Sequence, residues 1–335
     1  MPAVSVLMPV YNSDAYLREA MDSILKQRFS DFEFLIFNDG STDNSSEIIN
    51  SYRDDRIRLF EFQNNEGYVP LLNLGLREAR GQYIARMDAD DVSHPERLGS
   101  QFNFLEQHKD YVICGSRYSV IGSTQEQLLP LTDEEIKLRM LYITPFCHPT
   151  VMMRQSVLGK NKISYQKEYA PAEDYDLWVT LSDKGKFYNL KESLLSYRIH
   201  DQNISLKKRT EAQDQNLMEA QTRYISKFFD SADIQASDII LLHKLFYHRS
   251  AFDFDTLSEI GSLLEVIMSK DCSYPVPFRH VHDLLSHRFF YCCTTSTGLG
   301  TKVFRLMNRY SFINSSYVDR TKLLIKSILK YKRGA

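Results

Sequence analysis

Short apolar runs alternate with amphipathic stretches through the first half of the chain. Val4–Met8, Phe32–Phe37, Ile57–Phe62 and Tyr83–Met87 are largely apolar, as strands buried in a sheet are. Between them, Ala15–Lys26, a segment capped by Thr42 or Asp43 and running to about Tyr52, and Val69–Ala79 place apolar residues at helical spacing. Ser13 or Asp14 supplies the N-cap of the first helix. Pro9, which cannot donate to a ladder, is expected to end the first strand. Strand and helix in strict alternation predict a parallel sheet with helices on both faces. Right-handed crossovers then gather the polar loops after each strand on one edge.

Beyond Asp91 the alternation loosens. A helix runs from His94-Pro95-Glu96-Arg97 to about His108, followed by a strand over Val112–Val120 that Gly115 interrupts. Asp133–Leu141 reads as helix, Thr150–Met153 as a short strand, and Glu173 to about Ser182 as helix. Lys186–Leu190 and Leu194–Ile199 read as two strands. From about Lys207 strand signals vanish, and Leu217–Phe229, Ala236–Tyr247, Asp255–Met268 and Asp319–Tyr331 carry helical periodicity. The expected organisation is an α/β domain over 1–206 and a helical domain over 207–335.

Composition narrows the function. A chain of 335 residues with a net charge of −2 offers no electrostatic case for nucleic-acid binding. Five cysteines without a CxxC or zinc spacing suit a reduced, cytoplasmic protein. No signal sequence and no apolar run long enough for a transmembrane helix is expected. G-x-G-x-x-G, Walker A and G-x-S-x-G are absent, so dinucleotide oxidoreductases, P-loop enzymes and serine hydrolases lose their main support.

What remains are polar loops at strand ends, where open α/β sheets bind ligands. Tyr11, after the first strand, offers a face for a nucleotide base or serves as a core aromatic. Asp39 in Asn38-Asp39-Gly40-Ser41 accepts from a base imide or belongs to an ordinary turn, with Gly40 allowing close backbone approach. Asp88-Ala89-Asp90-Asp91 directly follows the fourth strand, and such carboxylates suit a hard divalent cation holding phosphates. His148 lines an acceptor side or is structural. Trp178, one helical turn past Asp174, is core or a sugar-pocket wall.

The order of these motifs resembles the family 2 glycosyltransferases of the GT-A fold. The likeness is carried by Val4–Asn12, Asn38–Asp43, Asn64-Asn65-Glu66-Gly67, Met87–Asp91, the acidic Ala172-Glu173-Asp174-Tyr175-Asp176-Leu177-Trp178 and Tyr197-Arg198-Ile199-His200, covering roughly residues 3–203. It implies a mainly parallel mixed sheet of GT-A type with a helical C-terminal domain. It further implies that Pro9, Tyr11, Asp39, Asn65, Asp88, Ala89 and Glu173 contact the nucleotide sugar. Asp90 and His200 would bind Mn²⁺ or Mg²⁺, and Asp174 would be the catalytic base. Asn38 stands where the family often has Asp.

The implied reaction is inverting transfer of a hexose or N-acetylhexosamine from a UDP-sugar to a saccharide or lipid-linked saccharide, in surface polysaccharide synthesis. dTDP- or GDP-sugar donors, and a catalytically silent nucleotide-sugar-binding scaffold, are the alternatives. The basic amphipathic segment 319–333 either packs on its own domain or gives peripheral contact with the inner face of a membrane.

Overall fold

The computed structural model describes residues 1–335 apart from 124, 205–207, 230–233, 248–249, 271–273, 314–316 and 330–335. Its strands are β1 (Val4–Val10), β2 (Phe32–Asn38), β3 (Ile57–Glu61), β4 (Tyr83–Arg86), β5 (Val92–Ser93), β6 (Tyr111–Val120), β7 (Glu126–Gln127), β8 (Met152–Arg154) and β9 (Lys186–Tyr197). Its α-helices are α1 (Asp14–Leu25), α2 (Ser45–Asn50), α3 (Tyr68–Glu78), α4 (Arg97–Gln107), α5 (Asp133–Met140), α6 (Gln155–Lys160), α7 (Glu173–Leu181), α8 (Glu211–Phe228), α9 (Ala236–Tyr247), α10 (Phe254–Ser269), α11 (Phe278–Thr295), α12 (Thr301–Arg309) and α13 (Tyr317–Ile328).

The strands form one mixed sheet in the order β3-β2-β1-β4-β8-β6-β9-β5, with β7 on β6. β3, β2, β1 and β4 are parallel neighbours, as is the β6–β9 pair. β8 runs antiparallel to both β4 and β6, and β5 antiparallel to β9. β1 and β2 are buried on both faces, which is why their sequences read as continuous apolar runs rather than alternating ones. α1 buries Leu17, Ala20, Met21 and Ile24 in the main core beneath the sheet. A fully buried large apolar side chain of this kind contributes about 1.5–3 kcal/mol.

Three expectations about strands are corrected. β1 continues through Pro9 to Val10. Leu7 accepts from Met87 N–H on the β4 side, so by alternation Pro9 faces the same side. The β1–β4 pairing has already ended there, at Leu7 opposite Arg86, and the missing N–H costs no ladder bond. β6 passes uninterrupted through Gly115, where a Cβ would lie 2.2 Å from Asn189 Oδ1 on β9. The glycine makes room for that side chain and does not break the strand. The two strands expected over Lys186–Ile199 are a single β9, with exposed Lys191 and Glu192 bulged out between the registers Ser116–Leu190 and Arg117–Ser193.

The chain packs into two compact units, Met1–Ile136 with Thr144–Ala220, and Lys137–Ile143 with Gln221–Ala335. The second is helical. Leu242, Leu245, Leu257, Ile260, Leu264, Val281, Leu285, Phe289 and Val303 are fully buried within it. α11 and α12 did not stand out in the sequence, because α11 mixes its apolar residues with histidines and cysteines. The expected last helix reaches past the described residues, and part of the expected 206/207 boundary also falls on residues outside them. Among the described residues no helix is long and apolar enough to cross a membrane.

Candidate active site

The parallel strands deliver their C-terminal loops to one edge of the first unit. β1 is followed by Tyr11, which is 47% exposed and so is not a core aromatic. β2 ends on Asn38, and the buried Asp39 follows it. Asp39 accepts Glu66 N–H at 2.8 Å and Gly67 N–H at 3.0 Å through its two oxygens. It therefore fastens the loop after β3, while each oxygen keeps a further lone pair. Gly40 is required beside it: its φ is +68°, and a Cβ would lie 2.8 Å from the Asn64 carbonyl carbon. Asn65 on that loop is exposed.

The loop after β4 carries the acidic cluster. Asp88, Asp90 and Asp91 each bring a carboxylate oxygen within 4.8 Å of the others. Asp91 is fully buried; one oxygen accepts Arg198 N–H at 2.8 Å, and Oδ2 has no hydrogen-bond partner among the described residues. Burial, then the charges of Asp88 and Asp90, push its carboxyl up to about 8. Burial also raises Asp88, against the opposing pull of Arg86. Such an arrangement of hard oxygen donors, one orphaned and buried, fits a divalent cation.

Residues after β9 close over this loop. Arg198 Nε donates to the Asp90 carbonyl at 2.8 Å, and its guanidinium pairs with Glu19 and lies 4.5 Å from the centre of the Tyr16 ring. His200 Nε2 sits 2.9 Å from Asp90 Oδ2. Its backbone N–H donates to Asn203 Oδ1, which fixes the turn presenting the ring. Two residues paired from the sequence, Asp90 and His200, thus meet across 110 positions.

The second acidic group opens α7. Asp174 Oδ1 accepts Tyr175 N–H at 2.6 Å, at the positive end of the helix. Burial nevertheless pushes Asp174 up to about 6. Glu173 is buried, accepts Tyr68 O–H at 2.7 Å and lies 3.8 Å from His148 Nδ1. Burial and the Asp174 charge raise it as well. His148 Nε2 is 3.0 Å from Tyr165 O–H, and burial keeps the imidazole neutral. Trp178 is fully buried and packs edge-on against Phe146 and His148.

One residue links both acidic groups. Arg86, the last residue of β4, is buried and ion-paired with Asp88, and its charge also lowers Asp174 and Glu173. Arg97 Nη2 holds the Arg86 carbonyl at 2.6 Å. Neither arginine was singled out from the sequence, nor were Tyr68 and Tyr165. A signal existed for Arg86: a lone cation in an otherwise apolar central strand must be paired.

A family model described as "Glycosyl transferase family 2" matches residues 5–161. The putative glycosyltransferase EpsE of Bacillus subtilis is 37% identical over 218 residues, 62% of this chain and 77% of the relative. An uncharacterized glycosyltransferase of Haemophilus influenzae is 32% identical over 218 residues, 61% of this chain and 68% of the relative. The chain belongs to glycosyltransferase family 2. Among solved structures, Staphylococcus aureus TarS 1–349 in complex with UDP-GlcNAc superposes with a TM-score of 0.61 at 19% identity, covering 96% of this chain and 90% of the other. The mannosyltransferase PcManGT of Pyrobaculum calidifontis, in complex with GDP-Man and Mn²⁺, gives 0.51 at 13% identity, covering 98% and 87%. The fold of this family 2 glycosyltransferase is therefore of the GT-A type. All the motif positions that carried the likeness lie in the first unit.

Proposed function

We propose that this glycosyltransferase moves a hexose or N-acetylhexosamine from a UDP-sugar to a saccharide hydroxyl, with inversion and with the help of Mn²⁺ or Mg²⁺. The observation that carries the reading is the pair of carboxylate groups that share the field of Arg86, which is ion-paired with the first and pulls on the second by its charge. The first, Asp88, Asp90 and Asp91, would hold the cation together with His200. That ion supplies Lewis-acid stabilisation of the departing diphosphate. Tyr11 is exposed for stacking on the base, and the free lone pairs of Asp39 suit the uracil imide. Pro9, near the end of β1, and Asn65 and Ala89, on the loops after β3 and β4, would line the donor.

Asp174 is the base in this reading. It takes the proton of the acceptor hydroxyl as that oxygen bonds to the anomeric carbon and the carbon–oxygen bond to the diphosphate breaks. The sugar passes through an oxocarbenium-like state. A pKa of about 6 leaves Asp174 ionised at neutral pH while keeping it basic enough to accept a proton. Nothing in the site forms a covalent sugar intermediate in this scheme, so an α-linked donor gives a β-linked product. Buried Glu173 holds Tyr68 beside the base and reaches a donor sugar through that hydroxyl.

The acceptor we favour is a saccharide, free or lipid-linked, of the kind used for surface polysaccharides. α13 supports work at the inner face of a membrane: Ile325 and Ile328 are 51% and 60% exposed beside exposed Lys322 and Lys326. The deciding experiment is Asp174→Asn, assayed with UDP-sugars, Mn²⁺ and a saccharide acceptor. UDP-sugar binding should stay nearly unchanged while kcat falls by about 10²–10⁴. A fully active variant removes Asp174 from the mechanism, and an α-linked product removes inversion.

A further inference from the structure

The helical unit holds a cavity unrelated to the carboxylate site. It has a volume of about 400 Å³ and is lined by Arg139, Tyr142, Ile143, Phe246, Tyr247, Arg288 and Tyr291. Every one of these residues belongs to the second unit. Two guanidinium groups and three phenol rings therefore face one space that no carboxylate lines.

The two arginines differ in how they are held. Arg288 Nη2 donates to the carbonyls of Leu245, at 3.0 Å, and Phe246, near the end of α9. Its guanidinium lies 5.9 Å from the centre of the Tyr142 ring and 5.6 Å from that of Tyr291. Its Nε is buried without a hydrogen-bond partner. Arg139 is less provided for. Its Nε is likewise buried and unpartnered, and its guanidinium makes no hydrogen bond or ion pair among the described residues. Tyr247 O–H donates to the Met140 carbonyl at 3.0 Å, which ties α9 to the residue after Arg139.

Placing two cations in one recess without a counter-charge is unfavourable, and donors removed from water need acceptors. An anionic group of phosphate or carboxylate type satisfies both, since guanidinium donors match its oxygens in pairs. Tyrosine rings beside such a fork offer flat apolar surface with polar tips, which suits the C–H face and hydroxyls of a sugar ring. The volume lies in the range of small-molecule sites.

We propose that this cavity binds a saccharide bearing a phosphate or a carboxylate, through Arg139 and Arg288 for the acid and the tyrosine rings for the sugar. The site is independent of the donor and catalytic residues assigned above.

Calorimetry on the full chain with glucose 6-phosphate and with glucuronate tests it and distinguishes the two acids. At least one should bind in the submillimolar range, more weakly as salt rises. Arg139→Gln should weaken that binding by at least tenfold, and Tyr142→Ala should weaken it with the fold intact by circular dichroism. Both variants keep Arg288, whose bonds to α9 make it the riskier substitution. Asp90→Asn should leave the sugar-acid affinity unchanged, and Arg139→Gln should leave UDP affinity unchanged. Failure of both sugar acids to bind overturns the proposal, as does full affinity in Arg139→Gln or lost affinity in Asp90→Asn. Inorganic phosphate binding as tightly as glucose 6-phosphate would overturn the saccharide assignment.

Discussion

Replacing Asp39 by Asn separates the loop anchoring its carboxylate performs from the base recognition we propose for it. In the wild type its two oxygens accept the Glu66 and Gly67 amides at 2.8 and 3.0 Å, from a buried position at the end of β2. Asparagine keeps the shape but supplies one acceptor and one donor. Its NH₂ must oppose one of the two N–H groups, so at least one charge-assisted bond is lost. A hydrogen bond to a charged group contributes about 1.5–3 kcal/mol. The loop at 64–67 should then open more often by roughly 10- to 100-fold, at about 1.4 kcal/mol per tenfold. Hydrogen–deuterium exchange over residues 62–68 reads this directly, because local opening sets the amide protection. UDP titration reads the second job: weaker binding is expected from the lost imide acceptor and from the looser loop. Unchanged exchange at Glu66 and Gly67 would refute the claim that Asp39 anchors the loop. Unchanged exchange with weakened UDP would leave base recognition as its only role.

Three further outcomes are expected. With Asp174 as base and its carboxyl raised to about 6, log kcat should climb with unit slope as pH rises to about 6 and then level. The sign follows because only the ionised form accepts the acceptor's proton; a profile flat from pH 4.5 to 7 would contradict it. Since burial and mutual repulsion raise both Asp88 and Asp91, the cluster holds protons at neutral pH that Mn²⁺ should displace on binding. Calorimetry in buffers of different ionisation enthalpy counts those protons, and a buffer-independent heat would place the cation elsewhere. Changing Ile325 and Ile328 to Ser should lower sedimentation with anionic liposomes without altering turnover on a soluble acceptor; undiminished sedimentation would dismiss α13 as the contact.

The parallel half of the sheet was legible because its physics is local. β2 and β4 are buried on both faces, so apolar runs marked them, and the turn residues after each strand marked the loops. Asp88 to Asp91 stood out for the same reason, as charge immediately after a buried strand. The errors came where a distant partner decides local structure. Pro9 reads as a strand end until the length of β4 is known, and Gly115 reads as a break until Asn189 is seen occupying its missing side chain. The bulge that joins the two expected strands into β9 depends on its register with β6. α11 was obscured by its composition, and its packing within the helical unit identifies it.

The same distinction governs the electrostatics of the site. Sequence spacing separates Asp88–Asp91 from Glu173–Asp174 by more than eighty positions, and nothing local says that they share a field. The fold brings Asp88, Asp91, Glu173 and Asp174 into the field of Arg86, which is buried and cannot lose its proton. Its pull opposes the effect of burial at Asp88, Glu173 and Asp174. Arg97, also buried, pulls on Asp88 in the same sense, and burial opposes both arginines there. In the proposed reading a divalent ion would bind Asp88, Asp90 and Asp91, while Arg86 would continue to steady Asp174 as the base. Arg86→Met should therefore raise the pKa seen in the kcat profile and also weaken Mn²⁺ binding, by unmooring Asp88. Arg86→Lys should restore the pKa more fully than the cation affinity, because a lysine keeps the charge but not the planar grip on Asp88. A profile unmoved by Arg86→Met, in a variant with unchanged circular dichroism, would show that the two acidic groups act independently.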